Sequence, residues 1–187
     1  MRRIQLLSIV LLLAVLGSGC TAMARNYSAS IENVQKLKDA GNFTAKLGAF
    51  TSKEDPANPK IISIRASSMV SPYKESYAEY LAEAIKSELT VAGKLSPNAD
   101  IEISGVLLKN DLNTSSFSVA FGDIQARFVI KRGGQVKYDR VKSAHKEWES
   151  SFAGAVAIPR ARQEYPHLVQ ALLAELYTDK DFVQAVK

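Results

Sequence analysis

Hydrophobic residues follow three rhythms along this chain, and each change of rhythm marks a change of element. From Ile4 to Leu16 they run almost unbroken. Thirteen residues fall short of the roughly 20 that a bilayer-spanning helix needs. The second rhythm is helical. Ser30 is placed to cap a helix through Ala40, with Ile31, Val34 and Leu37 on one stripe and Gly41 as its stop. Ser71-Pro72 predicts the start of a long helix, in which Tyr73, Tyr77, Leu81, Ile85, Leu89 and Ala92 recur on one face up to Gly93. From Pro159 the chain is helical again, with Leu168, Val169, Leu172, Leu173 and Leu176 as the buried stripe. Pro166 either kinks this helix or marks its start, and Thr178 to Asp181 predicts a fresh cap for a last helix holding Phe182, Val183 and Val186.

The third rhythm is alternation. Residues 43–50, 61–65, 101–108, 117–121 and 124–131 predict strands, with Gly122-Asp123 as a bulge or kink in the last pair. Arg132-Gly133-Gly134-Gln135 predicts a hairpin, because paired glycines supply the positive φ angles of a primed turn. The return strand runs from Val136 to Ser143 and on toward Trp148. A strand, a twenty-residue helix and another strand form a crossover, right-handed if its strands are parallel. The expected architecture is α+β: a mixed, mostly antiparallel sheet of about five strands, with the long helix and C-terminal helices packed on one face and the other face polar.

Arg2 and Arg3 precede the first apolar run, and Gly17-Ser18-Gly19 leads from it to Cys20, the sole cysteine. A basic start, a short apolar core and small residues make an export signal. Here the chain resembles a bacterial lipoprotein precursor, whose lipobox ends in small residues and an obligatory cysteine. The family prefers Leu three positions before that cysteine; this chain has Gly17 there and Leu16 one place earlier. The resemblance implies cleavage after Gly19, a diacylglycerol on Cys20 and acylation of the new amino terminus. Thr21 is not the Asp that retains such products in the inner membrane, so the resemblance implies an outer-membrane protein facing the periplasm. The expected organisation is a signal peptide over 1–19, a lipid-anchored tether of small polar residues over 20–29 and a single domain over 30–187.

Composition narrows the function classes. With 47% hydrophobic and 23% charged residues the chain is neither disordered nor a membrane bundle. Loss of Arg2 and Arg3 leaves 22 basic residues against 19 acidic, an excess of +3 too small and dispersed to argue for nucleic acid. With Cys20 committed to lipid, no disulfide, cysteine-ligated metal or thiol chemistry is expected, and no cofactor.

Little in the sequence points to catalysis. There is no Gly-x-Ser-x-Gly elbow, His-Glu-x-x-His, phosphate loop or dinucleotide fingerprint. His145 reads as part of a charged strand face and His167 as part of a helix N-terminal turn. Glu147 and Glu149 point the same way on a strand and can pair as acid and base, although interleaved surface charge explains them as well. Three stretches are candidate interaction surface. One is the apolar run 150–160, with Val156, Ile158 and Arg160, read either as a buried connector or as an exposed patch for a partner or lipid. Another is the cluster Tyr73, Tyr77 and Tyr80, read either as core packing or as an interface, with Tyr80 expected half wet. The third is 67–70, with Met69 and Val70 expected on a recognition loop.

Tyr80-Leu81-Ala82-Glu83-Ala84-Ile85, Leu89-Thr90-Val91-Ala92-Gly93, the strand Ile101 to Leu108, the Gly133-Gly134 hairpin and the closing Asp181-Phe182-Val183 together resemble small proteobacterial lipoproteins of the YajG type. That resemblance covers most of the chain after residue 60 and brings no site residues. The function expected is a non-enzymatic, lipid-anchored accessory or scaffold in envelope assembly or maintenance, with the membrane and an envelope protein as partners. The alternative is a carrier holding a lipid or other apolar ligand between sheet and helices.

Overall fold

A computed structural model describes residues 21–187. The strands are β1 (Thr21–Met23), β2 (Ala45–Ser52), β3 (Ile62–Ile64), β4 (Ser67–Val70), β5 (Ile101–Asn113), β6 (Val119–Arg132) and β7 (Gln135–Glu149). The helices are α1 (Ile31–Asp39), α2 (Tyr77–Val91), α3 (Gly154–Tyr177) and α4 (Lys180–Val186). The fold class is α+β, as the alternating and helical rhythms predict. The strands form two sheets rather than one: a four-stranded sheet in the order β2-β5-β6-β7 and a three-stranded one in the order β1-β4-β3. In the larger sheet β2 and β5 are parallel and the remaining pairs antiparallel, so the crossover carrying α2 joins β2 to β5 rather than starting from residues 61–65.

Inward positions of the large sheet, among them Ile101, Ile103, Leu107, Ile124, Ala126, Phe128 and Ile130, join the helices' apolar stripes in one core. Gly133 and Gly134 take φ of 55° and 80°, the left-handed pair that a type I′ hairpin requires. Gly122 is no bulge. The register of β6 runs straight through it, and the irregularities fall at Leu107/Lys109 and Ile130/Lys131. Its lack of a side chain serves packing instead: a Cβ there would lie 2.6 Å from Leu112 Cδ2 and 2.7 Å from Leu168 Cδ2.

Helix starts differ from expectation in α2 and α3. The long helix starts at Tyr77, with the Ser76 hydroxyl accepting from Glu79 N–H at 3.3 Å. Ser71 Oγ instead accepts from Tyr73 N–H in a turn, and Lys74 and Glu75 follow with φ of 50° and 54°. That turn lets the Tyr73 hydroxyl accept from Tyr27 N–H at 3.0 Å. In α1 the stripe is Asn33, Val34 and Leu37, while Ile31 is 83% exposed. Pro159 and Pro166 both lie inside α3, which begins before either. Asp179 caps α4 as expected, accepting from Asp181 N–H at 2.8 Å.

The expected tether is the largest departure. Residues 21–29 form a strap along the domain. β1 pairs parallel to β4, with Thr21 opposite Ser68 and Met23 opposite Val70. Pro166 has no N–H to offer the carbonyl four residues back, and that carbonyl, on Arg162, accepts from Arg25 N–H at 3.3 Å. Arg25 O accepts from the Tyr80 hydroxyl at 2.7 Å, and Ser28 O from Gln170 Nε2 at 2.9 Å. Ala24 and Tyr27 are buried. The strap therefore lies between α2 and α3, tied to both.

Candidate functional site

The expected interaction residues do not form one surface. Met69 and Val70 are buried in β4 rather than displayed on a loop, because β4 sits between β1 and β3. Tyr80 is fully buried, its ring edge-on to Tyr165 at 5.0 Å and its hydroxyl on Arg25 O. Within the apolar run, Val156 is exposed on the first turns of α3, Ile158 is half-buried against the core, and Arg160 reaches Glu164 at 2.9 Å. From Gly154 onward the run is thus helix rather than connector. Cys20 lies outside the described residues.

What stays open is the outer face of the large sheet. Every outward position of β5, β6 and β7 is partly or fully exposed. Register sets these positions in rows across the strands: Asp111, Asp123 and His145; Val106, Arg127 and Val141; Ser104, Val129 and Asp139. Arg127 grips Asp139 through two nitrogens, Nε at 2.6 Å and Nη2 at 2.5 Å. Lys109 reaches Asp123 at 3.1 Å. The result is a broad surface of fixed charges with valines between them.

His145 is the titratable group of this face nearest neutrality. Its Nδ1 lies 2.9 Å from Asp123 Oδ1 and its Nε2 3.4 Å from Glu147 Oε1. Hydrogen bonding to Asp123 first, and to Glu147 second, lifts the imidazole above its ordinary 6.5. A raised histidine stabilises the fold fully below its unfolded pKa and loses that contribution as pH rises through the folded one. Proton NMR of the imidazole is expected to show a midpoint above 6.5 that falls on Asp123→Asn. An unchanged midpoint would mean the carboxylate does not hold the ring. Among the described residues the hydrogen-bond partners of this imidazole are the two carboxylates, and the trio forms a charge cluster.

β7 is an edge strand, yet it is guarded against strand addition. Lys142 and Lys146 point inward, to Asp179 at 2.5 Å and to Glu164 at 3.8 Å, and Arg140 pairs with Asp181 at 3.1 Å. Inward charges on an edge oppose pairing with another strand. Glu164 is itself buried and also accepts from His167. Among the described residues no group of histidine, cysteine and carboxylate side chains is placed to hold a metal ion, and no helix is long and apolar enough to cross a membrane. The space between sheet and helices is filled by Tyr80, Tyr165, Tyr177, Phe128 and Phe182.

Two groupings escape a reading of the sequence. The first is a buried polar knot around Glu88. Its Oε1 accepts from the Tyr27 hydroxyl at 2.5 Å, from Asn33 Nδ2 at 3.1 Å and from Ser30 N–H at 3.3 Å. Burial pushes its carboxyl above the usual range, against the pull of these donors. The available signal was position, since Glu88 follows Leu81 by seven residues on the apolar stripe of α2. The second is the pair Phe117 and Phe152, stacked at 5.1 Å with 18° between ring planes although 35 residues separate them in the chain.

No protein-family model and no curated protein matches the chain. Solved structures do. Protein XCC0632 from Xanthomonas campestris, of the family DUF330, is similar at TM-score 0.56 and 12% identity, over 85% of this chain and 93% of that one. The hypothetical protein CT253 from Chlamydia trachomatis is similar at TM-score 0.50 and 11% identity, over 78% of this chain and 99% of that one. A minor lipoprotein from Acinetobacter baumannii aligns at TM-score 0.42 and 12% identity, over 74% of this chain and 91% of that one. At these identities the first two likenesses concern the fold: the α+β arrangement of this chain recurs in those two bacterial proteins.

Proposed function

We infer that this is a lipid-anchored periplasmic protein of the outer membrane, acting without catalysis as an accessory or scaffold for another envelope protein. The resemblance to YajG-type lipoproteins belongs with this reading. The observation that carries it is the open face of the β2-β5-β6-β7 sheet, a surface of fixed charges and valines that no other described element covers. Alternating Arg127, Asp139, Lys109 and Asp123 suits it to a partner of complementary charge. The guarded edge of β7 favours this face over strand addition at that edge.

The strap supports the same reading. A free ten-residue tether would let the domain roam about 35 Å from its anchor. With Thr21 already paired to β4, the domain is held at the bilayer, where its effective concentration near membrane partners is high. Photo-crosslinkers at Gln125 and Val141 in living cells are expected to capture one envelope protein, while a crosslinker at Glu83 on α2 captures none. Adducts at Glu83 and none on the sheet would overturn the assignment of the face. Palmitate labelling that is equal in wild type and Cys20→Ala would remove the anchor.

A further inference from the structure

Three uncharged stretches meet at one end of the molecule. They are the turn between β3 and β4, the loop before β6, and the segment from the end of β7 into α3. Across residues 65–68, 114–119 and 150–158 Arg65 is the sole charged side chain, in a protein whose overall charged fraction is 23%. Serine, threonine, glycine and apolar residues fill the rest. From this end project Phe117 (74% exposed), Phe152 (66%), Val156 (55%) and Val119 (42%).

The projection is built, not frayed. Arg65 takes a left-handed φ of 57° in its two-residue turn. From there its guanidinium donates to the carbonyls of Ser115, Ser116 and Ser151 at 3.1, 2.5 and 2.9 Å. The same guanidinium lies 5.5 Å over the Phe152 ring. Ser150 N–H donates to Ser118 O at 2.8 Å and closes the two loops on each other. One arginine thus holds two aromatic rings in a fixed, outward stack, and exposing such a stack to water is unfavourable unless something covers it.

The path of β1 says what that cover is. β1 runs parallel to β4 and starts with Thr21 opposite Ser68, next to the Arg65 turn. Thr21, Ala22 and Met23 carry no charge, and Met23 is 56% exposed. We propose that the Phe117–Phe152 stack, with Val119 and Val156, inserts into the headgroup and acyl boundary of the membrane that holds Cys20, fixing which way the domain faces. Arg160 follows Val156 by one helical turn, which places its guanidinium behind the inserted edge at the level of lipid phosphates. The proposal rests on the acylation of Cys20 inferred above. It gives the lipid anchor a second, non-covalent contact, and stable attachment commonly takes two signals. It also points the opposite end of the domain away from the bilayer.

The test uses full-length protein purified from membranes and reconstituted in vesicles of phosphatidylethanolamine and phosphatidylglycerol with brominated acyl chains. Trp148 is buried and supplies a constant background. Phe152→Trp and, separately, Phe117→Trp are expected to lose about half of the added emission to bromine, as indoles seated at the acyl boundary do, whereas Val141→Trp on the open sheet face loses none. Palmitate-labelled protein whose added indoles go unquenched overturns the docking and leaves the anchor standing. Emission that is blue-shifted but unquenched also overturns it, because protein then covers the rings, whether a second copy or another partner. A chain that carries no palmitate overturns both anchor and docking.

Discussion

Replacing Glu88 by alanine is expected to destabilise the protein by about 3–5 kcal/mol, among the largest costs for a single side chain here. The change strands the Tyr27 hydroxyl in the interior, takes the acceptor from the half-buried Ser30 N–H and leaves Asn33 with Gln170 O alone. Each buried donor without an acceptor costs about 1–3 kcal/mol, and the lost side chain adds a cavity. The strap should fail first, so limited proteolysis ought to cut between residues 24 and 30 at protease levels that spare wild type. Glu88→Gln keeps an acceptor and should cost clearly less. It should also flatten the pH dependence. A carboxyl whose folded pKa is raised contributes full stability below its ordinary value of 4.5 and loses it as pH rises through the folded value, because the unfolded chain releases the proton first. Urea denaturation across that range measures both effects. A Glu88→Ala protein within about 0.5 kcal/mol of wild type would show that the knot does not hold the strap.

Gly122→Val carries the next largest expectation. A Cβ at this position already comes within 2.6 Å of Leu112 Cδ2 and 2.7 Å of Leu168 Cδ2, and valine adds two methyl groups. Leu168 is fully buried on α3, so the clash pushes the helix from the sheet. Overpacking of this kind costs about 1–3 kcal/mol, with the upper end expected because both neighbours belong to the core. Gln125→Val, on the same strand but facing outward, should cost little. Leu168→Ala should relieve part of the strain, so that the two changes together cost less than their sum. Strict additivity in thermal denaturation would place the effect in the strand itself, not in its contact with α3.

These two sites mark the limit of what the chain discloses in advance. The Gly133-Gly134 turn, the Asp179 cap and the leucine stripe of α3 are legible because each is decided by residues within a few positions of one another. Ser71-Pro72 and Ser76-x-x-Glu79 are equally good local caps, and a distant contact, Tyr27 to the Tyr73 hydroxyl, accompanies the choice of the second. Met69 and Val70 read as loop because β4 is only four residues long and is buried by partners 47 residues away in β1 and nearby in β3. The strap has no apolar period at all; its place is set by backbone groups meeting Arg162 O, Tyr80 and Gln170. Of the candidate interaction residues Val156 and Arg160 remain at the surface, and the open face was foreseen as polar without its rows, which only the register supplies.

The path of the strap also determines how the molecule bears load. A pull on Thr21 along β1 strains the bonds between β1 and β4 together in shear rather than opening them one at a time. Beyond Met23 the force meets Arg25 on the carbonyl that Pro166 leaves free, and then the Glu88 knot. A proline in the middle of α3 thereby becomes a cleat: tension entering at β1 is handed to the longest helix of the domain before it can reach the four-stranded sheet.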